Sequence, residues 1–140
     1  MARKAWAFDP HSGGNAIPER VKLNTKARLE THGVKHYAGK YERLEVRFRG
    51  ALCYIDAYKE PTKELMDYWR KSGMDVQDAI GQYRKRPTHL GRLRYFDVNR
   101  WSYAFYTYSN ERYEPTIFPS GDFFGTPEEA FDIGARYLHN

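Results

Sequence analysis

The strongest constraint on the fold is a two-residue alternation of apolar and polar side chains in residues 42–58. Leu44, Val46 and Phe48 alternate with arginines and a glutamate. Because successive side chains of a β-strand point to opposite faces, this period predicts a strand with one buried face. Gly50 then allows a tight reversal, after which the alternation resumes. The pattern predicts an antiparallel β-hairpin.

A second hairpin is predicted further along the chain. Residues 88–96 and 101–109 are strand-like and are separated by turn-forming residues at 97–100. Residues 113–118 read as one more strand, and Pro115 restricts it to a short strand or to the sheet edge because proline lacks the N–H of a ladder hydrogen bond.

The first and last helices are marked by prolines at their starts. Pro18 favours a helix start, and Gly33 or Gly39 is the expected stop. Near the C-terminus, Thr126 is followed by a proline and then by Glu129, which is the pattern of a capping box. The stripe of the first helix that we expect to be buried consists of Leu23, Ala27, Thr31 and Val34.

Residues 59–87 predict one or two middle helices, with Thr62 and Asp75 as N-caps and Gly73 as a stop. The predicted fold class is therefore α+β. Residues 1–140 form a single domain that begins with an extended segment over residues 1–16. Its antiparallel sheet has four to five strands, made of two hairpins plus an edge strand. The sheet packs with an N-terminal helix, the middle helices and a C-terminal helix.

Composition narrows the class of partner. The net charge of +5 and the pI near 9.3 favour polyanions as partners. A single cysteine, Cys53, excludes an intramolecular disulfide and fits a reducing compartment. No stretch has the apolar length of a signal peptide or of a membrane span. We therefore expect a soluble cytoplasmic protein.

The candidate binding residues come from the hairpin positions not assigned to the core. Arginine forks match phosphate oxygens, and tyrosine rings stack on unpaired bases at about 1–3 kcal/mol per base. If the two hairpins are neighbours, one sheet face carries both residue types, which predicts a protein that binds RNA or single-stranded DNA. The predicted binding residues are Arg47, Arg49, Arg92, Arg94, Tyr54, Tyr58, Tyr106 and Tyr108.

The same residues are also compatible with a purely structural role. Asp56 can pair with Arg47 or Arg92 across strands, and the middle helices can cover the face. In residues 101–108, alternate positions compete for the core, with Trp101 and Tyr103 on one side and Tyr106 on the other. The sequence leaves these alternatives open.

Other polar motifs do not predict catalysis or a metal site. Asp9, His11 and Ser12 are too close in sequence to converge as a triad, so the preceding Trp6 and Phe8 are expected to anchor the chain in an apolar groove. The four-residue spacing of two histidines resembles a zinc motif, but no third ligand is evident. No metal or cofactor is predicted. The histidines are His32 and His36.

Two alternative functions remain. A metal-independent ribonuclease could use His89, Arg92 and His11, although no nucleophile–base pair stands out, so binding is favoured over catalysis. A protein-interaction module or homodimer could instead use an exposed side of Trp69 or the loop containing Phe123 and Phe124.

The chain contains the strings FDPHSGG, RFRGALCYIDAY, THLGRLRYF, WSYAFYTYSNERYEP and FPSGDFFGTPEEAF. Together these strings resemble a family of small bacterial proteins with no assigned activity. The likeness covers most of the chain except residues 60–86. It implies a bacterial or archaeal cytoplasmic protein, and it implies no reaction, cofactor or catalytic residue.

Overall fold

The computed structural model describes residues 12–138 and confirms the α+β class. A five-stranded antiparallel sheet has the order β1-β2-β3-β4-β5, so each strand pairs with its neighbours in sequence. The elements are α1 (Glu19–Tyr37), β1 (Arg43–Arg49), β2 (Leu52–Tyr58), α2 (Lys63–Lys71), α3 (Val76–Lys85), β3 (Thr88–Asp97), β4 (Arg100–Thr107), β5 (Arg112–Thr116), α4 (Pro127–Gly134) and a C-terminal 3₁₀ helix (Ala135–Leu138).

Both predicted hairpins form, and they are neighbours in the sheet. β1 and β2 pair through a turn at Gly50, and β2 then pairs with β3. The strand containing Pro115 lies at the sheet edge, as expected for a residue that cannot donate a ladder hydrogen bond. The predicted sheet of four to five strands, made of two hairpins plus an edge strand, is confirmed with five strands.

The core lies between one face of the sheet and helices α1 and α4 with the 3₁₀ helix. Along the strands, apolar residues that face the core alternate with polar residues on the other face. This alternation is why the sequence predicts the hairpins. Cys53 is fully buried in this core. The largest fully buried side chains include Trp101, Tyr103, Phe118, Phe131, Leu29, Ile55, Leu90 and Leu93.

The predicted buried stripe of α1 is wrong. All of its members, Leu23, Ala27, Thr31 and Val34, are exposed, and Leu23 and Val34 keep 71% and 70% of their surface. Instead the helix buries positions spaced by four, where small side chains allow a close approach to α4 and to Tyr41. These buried positions are Val21, Thr25, Leu29 and Gly33.

The helix ends follow the predicted capping residues except at α1. Thr62 and Asp75 accept backbone hydrogen bonds at the starts of α2 and α3, and the capping box of α4 forms at Thr126. Pro18 is the N-cap of α1 and not its first helical residue, and Gly33 lies within the helix. The helix therefore continues to Tyr37, close to Gly39.

The middle helices form two pieces that pack against each other. Trp69 of α2 is only 8% exposed because its ring lies against Tyr83 of α3, at a centroid distance of 5.8 Å. The predicted interaction surface on Trp69 is therefore wrong, because α3 covers the ring.

Three predictions fall wholly or partly beyond the ends of the described range. The roles of Trp6, Phe8, Asp9 and His11 lie outside the described residues, as does most of the extended segment at 1–16.

Within residues 12–138, no helix combines the length and the apolar character needed to cross a membrane.

Candidate nucleic-acid interface

The sheet face opposite α1 and α4 carries the predicted arginines and most of the predicted tyrosines. The register places Arg47 beside Tyr54 and Tyr54 beside Arg92, while Arg43 pairs with Tyr58. We name this surface the arginine–tyrosine face. Its members are Arg43, Glu45, Arg47, Arg49, Tyr54, Asp56, Tyr58, His89, Arg92, Arg94, Tyr106 and Tyr113.

The orientation of β4 resolves the ambiguity left by the sequence. Trp101 and Tyr103 are fully buried in the core, whereas Tyr106 lies on the arginine–tyrosine face opposite Tyr113. Both buried rings belong to the core cluster that the helices cover. Ser102 and Ala104, on the opposite side of β4, are small and buried.

Tyr108 differs from its predicted position, because β4 ends at Thr107. The Tyr108 ring nevertheless stays with the face: it lies 4.9 Å from the Tyr106 ring, centroid to centroid. Its hydroxyl accepts a hydrogen bond from the backbone N–H of His89 at 3.0 Å. With 52% of its surface exposed, Tyr108 offers more ring area to a ligand than its half-buried neighbours do.

Asp56 is the centre of a charged cluster on this face. It is 2% exposed, and one carboxylate oxygen accepts a hydrogen bond from Arg47 Nη2 at 2.9 Å. Its other oxygen lies 2.8 Å from His89 Nδ1. Since a carboxylate only accepts hydrogen bonds, Nδ1 donates its proton to Asp56, and whenever the ring is neutral the unprotonated nitrogen is Nε2.

An irregularity in the sheet brings His89 to this position. The register between β2 and β3 shifts at Ile55 and Asp56, so that Asp56 pairs with His89. Gly91 permits the close packing at this point, because a Cβ there would overlap with the ring of Tyr103. The Tyr103 hydroxyl also donates to the Leu90 carbonyl at 2.6 Å, which fixes the same stretch of β3.

The tyrosine rings pack edge to face and not as a parallel platform. The ring of Tyr113 is inclined at 64° to that of Tyr54 and at 72° to that of Tyr106. Edge-to-face packing of this kind stabilises the cluster. It also leaves less free ring surface than the sequence-based prediction of base stacking assumed.

The hydroxyl of Tyr113 is an unusual feature of the cluster. It is buried and has no hydrogen-bond partner among residues 12–138. Burial raises the pKa of Tyr113 well above its ordinary value, and the nearby negative charge of Asp56 is the second-largest cause. Tyr113 is therefore a neutral donor next to the Arg47–Asp56 pair, and no sequence pattern marked it as part of the site.

The arginines differ in how far they are already engaged. Arg94 donates to the Gly13 carbonyl at 3.0 Å, and Arg47 is paired with Asp56. Arg43 lies 3.9 Å from the centroid of the Tyr58 ring, and Arg92 lies 5.4 Å from that of Tyr113. Cation–π contacts leave the guanidinium able to donate to an anion.

The face keeps a cationic excess after these contacts are taken into account. Within residues 12–138, no carboxylate lies within ion-pair distance of Arg43, Arg49 or Arg92. Among the described residues, Glu45 and Asp56 provide the only carboxylates on the face. The arrangement therefore provides unpaired guanidinium groups around a neutralised centre.

The remaining sequence candidates do not join this face. His32 Nε2 and the Tyr37 hydroxyl both bond to one oxygen of Asp132, each at 2.7 Å, on the helical side of the molecule. Among the described residues, no group of histidine, cysteine and carboxylate side chains has the arrangement of a metal site. In the loop before α4, Phe124 packs on Phe96 while Phe123 is half exposed.

Comparison with known proteins does not extend this picture. No protein-family model, curated protein or solved structure matches the chain. The residues of the arginine–tyrosine face therefore carry the functional argument.

Proposed function

We propose that this protein binds single-stranded nucleic acid, with RNA as the preferred form, on the arginine–tyrosine face. The observation that supports the proposal is a set of guanidinium groups on a sheet face that α1 and α4 do not cover. Within the described residues, these groups have no carboxylate partner; they belong to Arg43, Arg49 and Arg92. Guanidinium forks bind phosphate oxygens in a bidentate manner. The free cysteine in the core is consistent with a cytoplasmic location.

Single strands fit this face better than duplexes do. The flat rings of Tyr108 and Tyr58 lie at the end of the sheet where β2 and β4 end, while Arg49 lies at the other end of β1. A single-stranded nucleic acid that runs along the sheet could place its phosphates on the arginines and an unpaired base on a tyrosine ring. Bases in a duplex are already stacked, so the rings would contribute little to duplex binding.

The proposal predicts that removing two of the arginines without carboxylate partners weakens binding in a salt-dependent way. We expect the double variant Arg49→Ala, Arg92→Ala to lose about tenfold or more in affinity for a fluorescein-labelled mixed-sequence 12-nucleotide RNA at low salt. The slope of log K against log salt should become shallower by about 1.4, since each phosphate contact on a single strand contributes about 0.7. Fluorescence anisotropy titrations at several salt concentrations measure both quantities.

A matched control separates this site from general charge attraction. Arg20 and Lys26 are exposed on α1, on the other side of the molecule, so the double variant Arg20→Ala, Lys26→Ala removes the same charge. It should bind within about twofold of the wild type, because distant exposed charges are largely screened. Equal losses in both double variants, or no binding of the wild type at low salt, would overturn the proposal.

A second candidate function is RNA cleavage with His89 as general base. The observation in its favour is the buried Asp56, which holds Nδ1 of His89 and leaves Nε2 as the basic nitrogen. Nε2 would take the proton of a ribose 2′-hydroxyl as its oxygen bonds to the adjacent phosphorus. The bond from phosphorus to the 5′-oxygen breaks, water protonates that oxygen, and a 2′,3′-cyclic phosphate remains.

Cleavage is tested with a DNA oligonucleotide that contains a single ribonucleotide. If His89 is the base, the wild type cuts only at the ribose and His89→Ala slows cutting by about a hundredfold. The activity must copurify with the wild type and be absent from identically purified His89→Ala. Uncut substrate after long incubation with the wild type removes this candidate and leaves the binding proposal intact.

A further inference from the structure

A cavity of about 270 Å³ lies where the arginine–tyrosine face meets the helices. Its walls include the rings of Tyr83 from α3, Tyr108 after β4 and Tyr137 from the 3₁₀ helix, together with the cations Lys59 and Arg86. None of the described residues that line it is a carboxylate. Aromatic walls with basic groups suit a planar ring that carries a negative charge.

The cavity adjoins the face through shared residues. The Tyr108 ring lies 6.1 Å from that of His89 and nearly parallel to it, and it also meets the Tyr137 ring edge to face at 6.3 Å. Tyr108 therefore stands between the face on one side and the cavity on the other. Beyond it, α3 and the 3₁₀ helix supply cavity walls, so a nucleic-acid strand that follows the face to Tyr108 meets the cavity there.

Two cations, Lys59 and Arg86, line the cavity. Arg86 is exposed and has no carboxylate partner in the described part of the chain. Lys59 is half buried, and its Nζ makes a long contact of 3.4 Å with the Tyr137 carbonyl. Burial lowers the pKa of the Lys59 ammonium, and a phosphate beside it would favour the charged form.

A second cavity of about 340 Å³ enlarges the available space. It shares Lys59 and Tyr83 with the first, so the two are adjoining lobes. The second lobe is also lined by Glu42 and by Glu60, whose carboxylate is paired with Arg84 at 2.7 Å. The volume of the first lobe alone is slightly below the usual range of about 300–1,000 Å³ for small-molecule sites. With the adjoining lobe, the space can accept a base together with its sugar and phosphate.

We propose that this two-lobed cavity binds the phosphorylated terminal nucleotide of the single strand held on the arginine–tyrosine face. The base lies among the tyrosine rings, and the terminal phosphate faces Lys59 and Arg86. The inference rests on the proposed function, which it deepens by assigning a chain-end site. A free nucleoside monophosphate has the same chemistry, so the experiment includes it as a separate ligand.

The test uses three oligouridine octamers that carry a 5′-phosphate, a 3′-phosphate or hydroxyls at both ends, with uridine 5′-monophosphate as the free form. We expect one of the two terminal phosphates to raise the affinity about fivefold to tenfold over the hydroxyl form. Whether the 5′- or the 3′-phosphate does so shows which end of the RNA lies in the cavity. Lys59→Gln and Arg86→Gln should each remove most of that gain. Both should leave the affinity for the hydroxyl form within about twofold of the wild type.

Lys85→Gln is the matched control, because Lys85 is exposed next to Arg86 and does not line the cavity. It should keep the gain from the terminal phosphate. Tyr108→Ala should reduce the gain as well, since it removes a wall of the cavity. Circular dichroism of each variant at the assay temperature shows whether the fold is retained.

The outcomes separate the two proposals. If octamers bind but neither terminal phosphate adds affinity and uridine monophosphate does not bind, the chain-end site is overturned and the proposed function stands. If no octamer binds while uridine monophosphate binds in a manner that depends on Lys59 and Arg86, the proposed function fails and the cavity is a site for free nucleotides. If neither ligand class binds, both proposals fail.

Discussion

Replacement of Gly134 by alanine is expected to lower the free energy of unfolding by about 3 kcal/mol, which is the upper end of the usual overpacking cost. Gly134 ends α4, and a Cβ there would overlap with the carbonyl oxygen of Leu90 and lie 2.7 Å from its carbonyl carbon. These are backbone atoms of β3 and cannot rotate away, so α4 must move from the sheet. Urea unfolding followed by circular dichroism measures the loss.

The consequences of Gly134→Ala extend to the arginine–tyrosine face. The Leu90 carbonyl that would be displaced also accepts the hydrogen bond of Tyr103, and Leu90 is adjacent to His89. Movement of this stretch would also displace Arg92, which lies two residues further along β3 and is one of the guanidinium groups proposed to bind phosphate. We therefore expect the variant to be weakened in oligonucleotide binding even under conditions where it remains folded.

Gly81→Ala is the matched control for this prediction. Gly81 lies within α3, has no heavy atom within 4 Å of a Cβ built on it, and does not have a left-handed backbone. Alanine there should stabilise the protein by about 0.5–1 kcal/mol, because glycine is the poorer helix former. Wild-type stability of Gly134→Ala would contradict the close contact between α4 and β3.

Local patterns made most of the sheet and the helix ends predictable. Alternation over Leu44, Val46 and Phe48 specified one face of β1 without knowledge of its partners, because a strand with one buried face repeats every two residues. The capping box of α4 is similarly local, since Thr126 and Glu129 satisfy each other's backbone N–H groups. Such signals need only a few consecutive residues.

The buried side of α1 was not predictable from hydropathy. The exposed Leu23 and Val34 are more apolar than the buried Thr25 and Gly33. Burial here depends on how closely α1 approaches its neighbours: a Cβ at Gly33 would overlap with the hydroxyl of Tyr41. Distant residues set that approach, so no window of sequence within the helix contains the information.

The position of His89 illustrates the same limit within the candidate site. The sequence places Asp56 and His89 33 positions apart, and only the register shift between β2 and β3 brings them together. Tyr113 was not predicted as part of the site, because Pro115 indicated that its strand is short or lies at the sheet edge. The arginines were found because they alternate along regular strands, whereas the charged centre depends on an irregular one.

Replacement of Asp56 by alanine is the prediction that best separates stability from binding. It should lower the free energy of unfolding by about 3 kcal/mol, because it leaves the Arg47 and His89 contacts unmatched on a face where Asp56 itself is buried. The half-exposed position of Arg47 keeps the loss at the lower end of the range for broken buried pairs. Asp56→Asn retains the volume and one acceptor oxygen and should lose about half as much.

The matched control for Asp56 is another paired aspartate. Asp67 bonds Arg70 at 2.6 Å within α2, but both side chains are exposed, so Asp67→Ala should change the free energy of unfolding by about 0.5 kcal/mol or less. Asp56→Ala also removes a negative charge from the face. If phosphates bind there, its affinity for the 12-nucleotide RNA at low temperature should equal or exceed that of the wild type despite the loss of stability. Affinity that falls in a variant shown to be folded would mean that Asp56 holds Arg47 and His89 in the geometry that binding requires.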